Sequence, residues 1–137
     1  MNNKKVACVG SGVIGASWAI CFALKDLDVV VYDINDEVLS KAKTIIHDNL
    51  NILKENNVLD ETRLQEVENH IKLTTSMEEA VRGACFIQES APEHYDVKHQ
   101  VVKEIEKYCL DDAIIASSTS GLLISEIAKN AKHPERF

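Results

Sequence analysis

The segment GSGVIG at residues 10–15 limits the possible folds of this sequence more than any other feature. It follows the apolar run Val6 to Val9, which is typical of a strand buried on both faces of a sheet. Ile14, Trp18 and Phe22 then recur at helical spacing. This order predicts a strand, a turn made of glycines and a helix, with Trp18 in the core.

A second apolar run, Val29 to Tyr32, ends at Asp33, which lies 18 residues beyond Gly15. Strand, glycine turn, helix, strand and terminal acid together form the βαβ unit that binds dinucleotides. In that unit Gly10 permits the tight turn, Gly12 leaves room for a pyrophosphate, and Gly15 lets helix and strand pack closely. The anion is then held by free N–H groups at the positive end of the helix dipole.

Asp33 is placed to accept the hydroxyls of an adenosine ribose. A 2′-phosphate would bring like charge against this carboxylate, and no Arg or Lys occurs between positions 34 and 40 to neutralise it. The sequence therefore predicts NAD rather than NADP. The alternative is structural: the glycines only end a strand, and Asp33 caps the helix that starts near Asn35.

Strands and helices alternate along the rest of the chain, which predicts one α/β domain over residues 1–137 with a doubly wound, mainly parallel sheet of the Rossmann type. Strands are predicted at 71–73, 85–87 and 113–116, and helices at 38–53, around 64–67, from the capping box Ser76-x-x-Glu79 to Gly83, and at 124–128. Pro92 suits the first turn of another helix. Its predicted buried stripe consists of Val97, Val101, Ile105 and Tyr108.

Polar residues follow the later strands of this sheet. The carboxyl ends of parallel strands meet at one edge, so the glycine turn should share that edge with Glu93, Lys98 and the run Ser117-Ser118-Thr119-Ser120. Four hydroxyls after a buried strand are hard to explain by packing, although helix capping is an equal alternative for any single one. Lys98 taken alone is interpreted as a solvated surface residue.

Composition excludes several classes of protein. With 15 Lys and Arg against 22 Asp and Glu, the net charge of -7 argues against nucleic acid or an anionic membrane as a partner. The amino-terminal apolar run is too short for a signal peptide or a membrane span, so we expect a cytoplasmic protein. No P-loop or hydrolase motif occurs.

Cysteines and histidines do not suggest a metal site. The four cysteines lie in apolar runs without a CxxC pair, and we expect reduced thiols in the core. The five histidines form neither HxxxH nor HExxH, and surface positions are expected for them. No metal is predicted.

Taken together, the motifs resemble the NAD-binding domain of the 3-hydroxyacyl-CoA dehydrogenase family. The matching segments are GSGVIG at 10–15, Asp33, QESAPE at 88–93, Lys98, IASSTSGLL at 115–123 and HPERF at 133–137. QESAPE and SSTSGLL are most similar to the L-carnitine 3-dehydrogenase branch, because the acyl-CoA enzymes usually have Asn where Ser118 stands. Relatives usually have a glycine at the position of Asp26, for which we expect a small cost in stability.

The resemblance implies a set of site residues. NAD would be held by Gly10, Ser11, Gly12, Val13, Ile14, Gly15, Asp33, Glu93, Lys98 and Ser120. Within this set, Glu93 and Lys98 would line the nicotinamide half of the site. Ser120 would also have a catalytic part, because it would contact the substrate oxygen.

The resemblance further implies oxidation of a secondary 3-hydroxyl, in L-carnitine or a 3-hydroxyacyl-CoA type substrate, by hydride transfer to NAD in a homodimeric enzyme. The family's general-base histidine, its glutamate partner, the final strands and the helical carboxyl-terminal domain would follow residue 137. His133 does not replace that histidine, since it belongs to HPERF. We expect the 137-residue chain to bind NAD without appreciable turnover.

Two other classes of function stay open at this level. One is a non-catalytic module that binds NAD or pairs with a partner. The other is a methyltransferase that uses the same fold for S-adenosylmethionine, although its turn is typically richer in glycine.

Overall fold

The structure, a computed structural model, describes residues 4–137. Its strands are Lys5–Val9 (β1), Asp28–Tyr32 (β2), Ile71–Thr74 (β3), Phe86–Glu89 (β4) and Ile114–Ser117 (β5). Its helices are Val13–Leu24 (α1), Asp36–Glu55 (α2), Glu61–Asn69 (α3), Met77–Val81 (α4), Tyr95–Tyr108 (α5) and Ile124–Ala128 (α6), followed by a 3₁₀ turn at Pro134–Arg136. Residues 1–3 of the segment considered for a signal peptide lie outside the described range.

All five strands run parallel in one sheet, in the order β3-β2-β1-β4-β5. Strand β1 is central: Cys8 pairs with Val31 on one side and with Gln88 on the other. The chain order reverses between β1 and β4, and ligands of doubly wound sheets bind at such a point, outside the carboxyl ends of the strands. The predicted Rossmann-type fold is confirmed.

Two hydrophobic clusters cover opposite faces of the sheet, because successive residues of each strand point to opposite sides. One cluster packs β1 and β2 against the first three helices and includes Cys8, Ala19, Val29, Val31, Leu50 and Val67. The other packs the sheet against α4 and α5 and includes Ala7, Val9, Val81, Ile87, Ile105 and Ile115. Helices therefore cover both faces of the sheet.

Side chains cap three helices where the sequence indicates helix starts. The Asn35 side chain accepts from Val38 N, Asp60 accepts from Arg63 N, and Ser76 accepts from Glu79 N. The predicted capping box is only half formed, because the Glu79 carboxylate accepts from the Thr74 hydroxyl instead of from Ser76 N. Since Asn35 caps α2, the alternative that gave this task to Asp33 is wrong.

The helix after β4 differs from its prediction in its start and in its buried face. It begins at Tyr95, and Pro92 lies before it in a loop, where its carbonyl accepts from His94 N. Of the predicted stripe, Ile105 is buried and Val101 and Tyr108 are half-buried against the core, whereas Val97 is exposed. Lys98 and Val102 are also buried, and the hydrophobic pattern does not indicate the burial of Lys98 because this residue is charged.

Helix α1 also exposes residues predicted for the core. Trp18 is 40% exposed and stacks on Phe22, with ring centroids 5.6 Å apart.

All four cysteines are free, as expected, but only Cys8 is fully buried, whereas Cys21 and Cys85 are exposed. Burial raises the pKa of the Cys8 thiol to about 12, so this group stays protonated.

Asp26 adopts the left-handed conformation, with φ at +61°, in the turn after α1. Arg63 reaches this turn from α3 and donates to the Asp26 carboxylate at 2.8 Å and to the Leu24 carbonyl at 2.8 Å. The hydrogen bond from Arg63 lowers the pKa of Asp26. An ion pair therefore accompanies the non-glycine residue in this turn, and its stability cost stays a prediction.

No helix among residues 4–137 has the length and apolar character needed to cross a membrane.

Candidate functional site

The glycine turn follows β1 and is shaped by two positions that have no room for a side chain. Gly10 has φ at +102°, and a Cβ there would lie 2.7 Å from the Ser90 carbonyl oxygen. A Cβ at Gly15 would lie 2.0 Å from the Gly10 carbonyl oxygen. Gly10 and Gly15 thus permit the close approach of β1, α1 and the loop after β4.

Gly12 is different, because nothing among residues 4–137 requires a glycine there. Its φ of −65° suits any residue, and a Cβ would meet no atom within 4 Å. It is the N-cap residue of α1 and, being glycine, it makes no side-chain hydrogen bond to the start of this helix. Val13 and Ile14 beside it are 67% and 57% exposed. The absence of a side chain therefore keeps space open over the free N–H groups of α1, which is what a pyrophosphate requires.

Asp33 is bonded to the glycine turn. Its Oδ2 accepts from the backbone N of Ser11 at 2.8 Å and from the Ser11 hydroxyl at 2.7 Å, and its Oδ1 accepts from Ile34 N at 2.8 Å. A carboxylate has about four acceptor positions, so these bonds leave about one on Oδ1. Asp33 is therefore held beside the turn and keeps some capacity for a ligand hydroxyl.

Glu89 and Lys98 form a fully buried ion pair that no sequence argument identified. Their exposed fractions are 1% and 0%. Lys98 Nζ donates to Glu89 Oε1 at 3.0 Å, to Glu89 Oε2 at 2.7 Å and to the Ala91 carbonyl at 2.9 Å. The interpretation of Lys98 as solvated surface is wrong, because the Glu89 carboxylate at the end of β4 compensates its charge inside the protein.

The buried pair is connected to the loops after β4 and β5. Glu89 also accepts from Ala91 N and from the Ser117 hydroxyl. Lys98 Nζ lies 3.3 Å from Glu93 Oε1. The Glu89 carboxylate and the Lys98 ammonium group thus bond residues of two segments that are far apart in sequence.

Glu93 joins these two loops at the surface. Its Oε2 accepts from the Thr119 hydroxyl at 2.9 Å and from Gly121 N at 3.3 Å. The Thr119 hydrogen bond is the main cause that lowers the pKa of Glu93, with smaller contributions from Gly121 and Lys98. Glu93 therefore stays ionised at neutral pH.

Three residues of the hydroxyl run are half-buried and hydrogen-bonded through their side chains, and the fourth is exposed. Ser117 donates to Glu89, Thr119 donates to Glu93, and Ser118 bonds to Gln88 Nε2 at 2.8 Å and to the Ser90 hydroxyl at 2.7 Å. None of them caps α6, whose N-cap is Leu123. Ser120 is exposed, and no hydrogen bond of its side chain is described within residues 4–137.

The predicted site residues therefore come together at the carboxyl edge of the sheet, with one qualification. The turn, Asp33, Glu93 and Ser120 all present atoms at loops after β1, β2, β4 and β5. Lys98 has no exposed surface and contacts the loop after β4 from inside the protein. In the described part of the chain no group of three His, Cys, Asp or Glu could hold a metal ion.

Removal of one partner of the buried pair should be costly. Lys98→Met leaves the Glu89 carboxylate buried without its counterion, so we expect the free energy of unfolding to fall by about 3 to 5 kcal/mol. The double variant Glu89→Gln/Lys98→Met removes both charges and should recover most of that loss. Urea denaturation measures both. Equal stability of Lys98→Met and the wild type would contradict the burial described above.

Comparison with known proteins identifies the family. The model of the 3-hydroxyacyl-CoA dehydrogenase NAD-binding domain matches residues 5–137. An L-carnitine dehydrogenase/betainyl-CoA thioesterase of Rhizobium meliloti is 41% identical over 134 residues, which cover 97% of this chain and 26% of that protein. An L-carnitine dehydrogenase of Oceanobacillus iheyensis is 38% identical over 136 residues, which cover 98% of this chain and 42% of that protein.

Solved structures give the same result. A 3-hydroxybutyryl-CoA dehydrogenase of Escherichia coli aligns with a TM-score of 0.91 at 29% identity, over 99% of this chain and 29% of that one. An (S)-3-hydroxybutyryl-CoA dehydrogenase of Ralstonia eutropha aligns with a TM-score of 0.93 at 29% identity, over 99% and 48%. The chain spans less than half the length of these relatives. It belongs to the NAD-binding domain family of the 3-hydroxyacyl-CoA dehydrogenases, most similar to its L-carnitine branch, and its cofactor is NAD.

Proposed function

We propose that this chain is the cofactor-binding part of a dehydrogenase that oxidises the secondary 3-hydroxyl of L-carnitine or a similar small 3-hydroxy acid. The observation that carries the cofactor assignment is the open space over Gly12 beside the anchored Asp33 carboxylate. The relatives named L-carnitine dehydrogenase support the substrate class, because they match nearly the whole chain at about 40% identity. The methyltransferase alternative loses its support, since the matching family is a dehydrogenase family.

The first step is binding of the dinucleotide by the amino-terminal βαβ unit. The N–H groups at the start of α1, including those of Val13 and Ile14, would hold the pyrophosphate with the help of the helix dipole. Asp33 would accept a ribose hydroxyl at its remaining Oδ1 position. The Ser11 hydroxyl can rotate away from Oδ2 and free a second acceptor position.

The nicotinamide end would lie toward the loops after β4 and β5, where Glu93 and Ser120 present polar atoms at the surface. NAD, when bound, supplies the acceptor for the hydride from the carbinol carbon. The exposed Ser120 hydroxyl would contact the substrate oxygen, and Glu93 would orient the cofactor. The dimer and the cytoplasmic location stay predictions.

Binding and turnover should separate in the purified 137-residue chain. We expect calorimetry to show NAD binding, while L-carnitine and NAD together give no appreciable NADH by absorbance. The reason is that hydride transfer needs a base for the hydroxyl proton, and loss of general-base catalysis alone costs a factor of about 10² to 10⁴. The resemblance to the family implies that this base lies in a segment that would follow residue 137. Sustained NADH formation by this chain would contradict the proposal.

Asp33 should determine the choice between NAD and NADP. Asp33→Ala removes an acceptor for ribose hydroxyls, so NAD binding should weaken by roughly 1 to 3 kcal/mol. Binding of NADP should be rejected less strongly, because the like charge is gone. Asp48→Ala, an exposed carboxylate on α2, is the matched control and should change neither affinity. Unchanged NAD affinity in Asp33→Ala would remove Asp33 from the site.

A further inference from the structure

The pair Glu89–Lys98 places two opposite charges in the interior of the protein. A buried ion pair is weak evidence for stability, because desolvation of both groups offsets their attraction. Hydrophobic residues could fill the same space. The bonds of this pair, however, lead to the two loops at the carboxyl edge of the sheet, and not to the core.

We propose that Glu89 and Lys98 are positioning residues that hold the loops after β4 and β5 in register for the nicotinamide end of NAD. This inference rests on the proposed function. It adds Glu89 to the site and gives a positioning part to Lys98, which the family resemblance placed against the nicotinamide half of the cofactor. Neither residue touches the ligand in this role, since both side chains are wholly buried. They act through the loop atoms that they bond.

Lys98 determines where Glu93 lies. Its ammonium group is bonded to the Ala91 carbonyl at 2.9 Å and lies 3.3 Å from Glu93 Oε1. On its other side, Glu93 Oε2 is bonded to Thr119 and Gly121. The carboxylate of an exposed residue is therefore held from both sides, which limits the rotamers that Glu93 would otherwise sample.

Glu89 connects the two loops from inside the protein. It accepts from Ala91 N in the loop after β4 and from the Ser117 hydroxyl at the end of β5. The Ser117 hydroxyl in turn accepts from Thr119 N. One buried carboxylate thus sets the distance between the segment that carries Glu93 and the segment that carries Ser120, and preorganised groups of this kind reduce the entropy lost on binding.

The test compares two ligands that differ in one part. ADP contains the adenosine ribose and the diphosphate, whereas NAD adds the nicotinamide riboside. Calorimetry gives the dissociation constants of NAD and ADP for the wild type and three variants: Glu89→Gln/Lys98→Met, Ser117→Ala, and Lys103→Met as the matched control. Lys103 is an exposed lysine on the same helix with no hydrogen bond among the described residues.

We expect the double variant to bind NAD at least tenfold more weakly and ADP within twofold of the wild type. Ser117→Ala, which removes one small group, should weaken NAD binding about threefold and leave ADP unchanged. Lys103→Met should match the wild type for both ligands. A general loss of structure would weaken ADP and NAD together, so the ratio of the two constants separates positioning from folding.

Three results would overturn the inference. The first is a double variant and a Ser117→Ala variant that keep the wild-type ratio of NAD to ADP affinity. The second is an equal loss of NAD and ADP binding in folded Ser117→Ala, which also decides the matter if the double variant does not fold. The third is a wild type that binds NAD and ADP equally well. Failure of the wild type to bind either ligand would instead refute the proposed cofactor site itself.

Discussion

The close backbone approach between the glycine turn and the loop after β4 is the constraint on which the site depends. A side chain at Gly10 would overlap the Ser90 carbonyl, and one at Gly15 would overlap Gly10 itself. Because both side chains are absent, α1 starts directly above β1 while β4 pairs along the other side of that strand. Ligands of doubly wound sheets bind outside the carboxyl ends of the strands where the chain order reverses, and the polar loops lie at that edge.

Two hydrogen-bonded carboxylates, Asp33 and Glu89, have different parts at this edge of the sheet. Asp33 joins the end of β2 to the turn through both donors of Ser11, and it retains an acceptor position toward solvent. Glu89 is wholly internal and joins the loops of the second half of the sheet. One carboxylate is thus placed to meet a ligand, while the other holds the protein groups around it. The surface acid Glu93 belongs to the second network and is its exposed end.

Local patterns explain why the first half of the site could be predicted from the sequence. Glycine spacing, a buried strand on each side and an acid at the strand end are all features of about thirty consecutive residues. The buried pair could not be predicted in this way, because the burial of Lys98 depends on Glu89, which a second element supplies. The prediction that Trp18 lies in the core is wrong for another reason: α1 is apolar on nearly all sides, so its periodicity does not show which face is covered.

The most direct test of the account is the affinity of Gly12→Ala for NAD, measured by calorimetry together with urea denaturation. Among residues 4–137 a methyl group at position 12 meets no atom within 4 Å, so the free energy of unfolding should change by no more than about 1 kcal/mol, the order of the difference between Gly and Ala at an N-cap. The same methyl group would occupy the space assigned to the pyrophosphate, and NAD affinity should fall at least tenfold. A stable Gly12→Ala variant that binds NAD as tightly as the wild type would contradict the central claim.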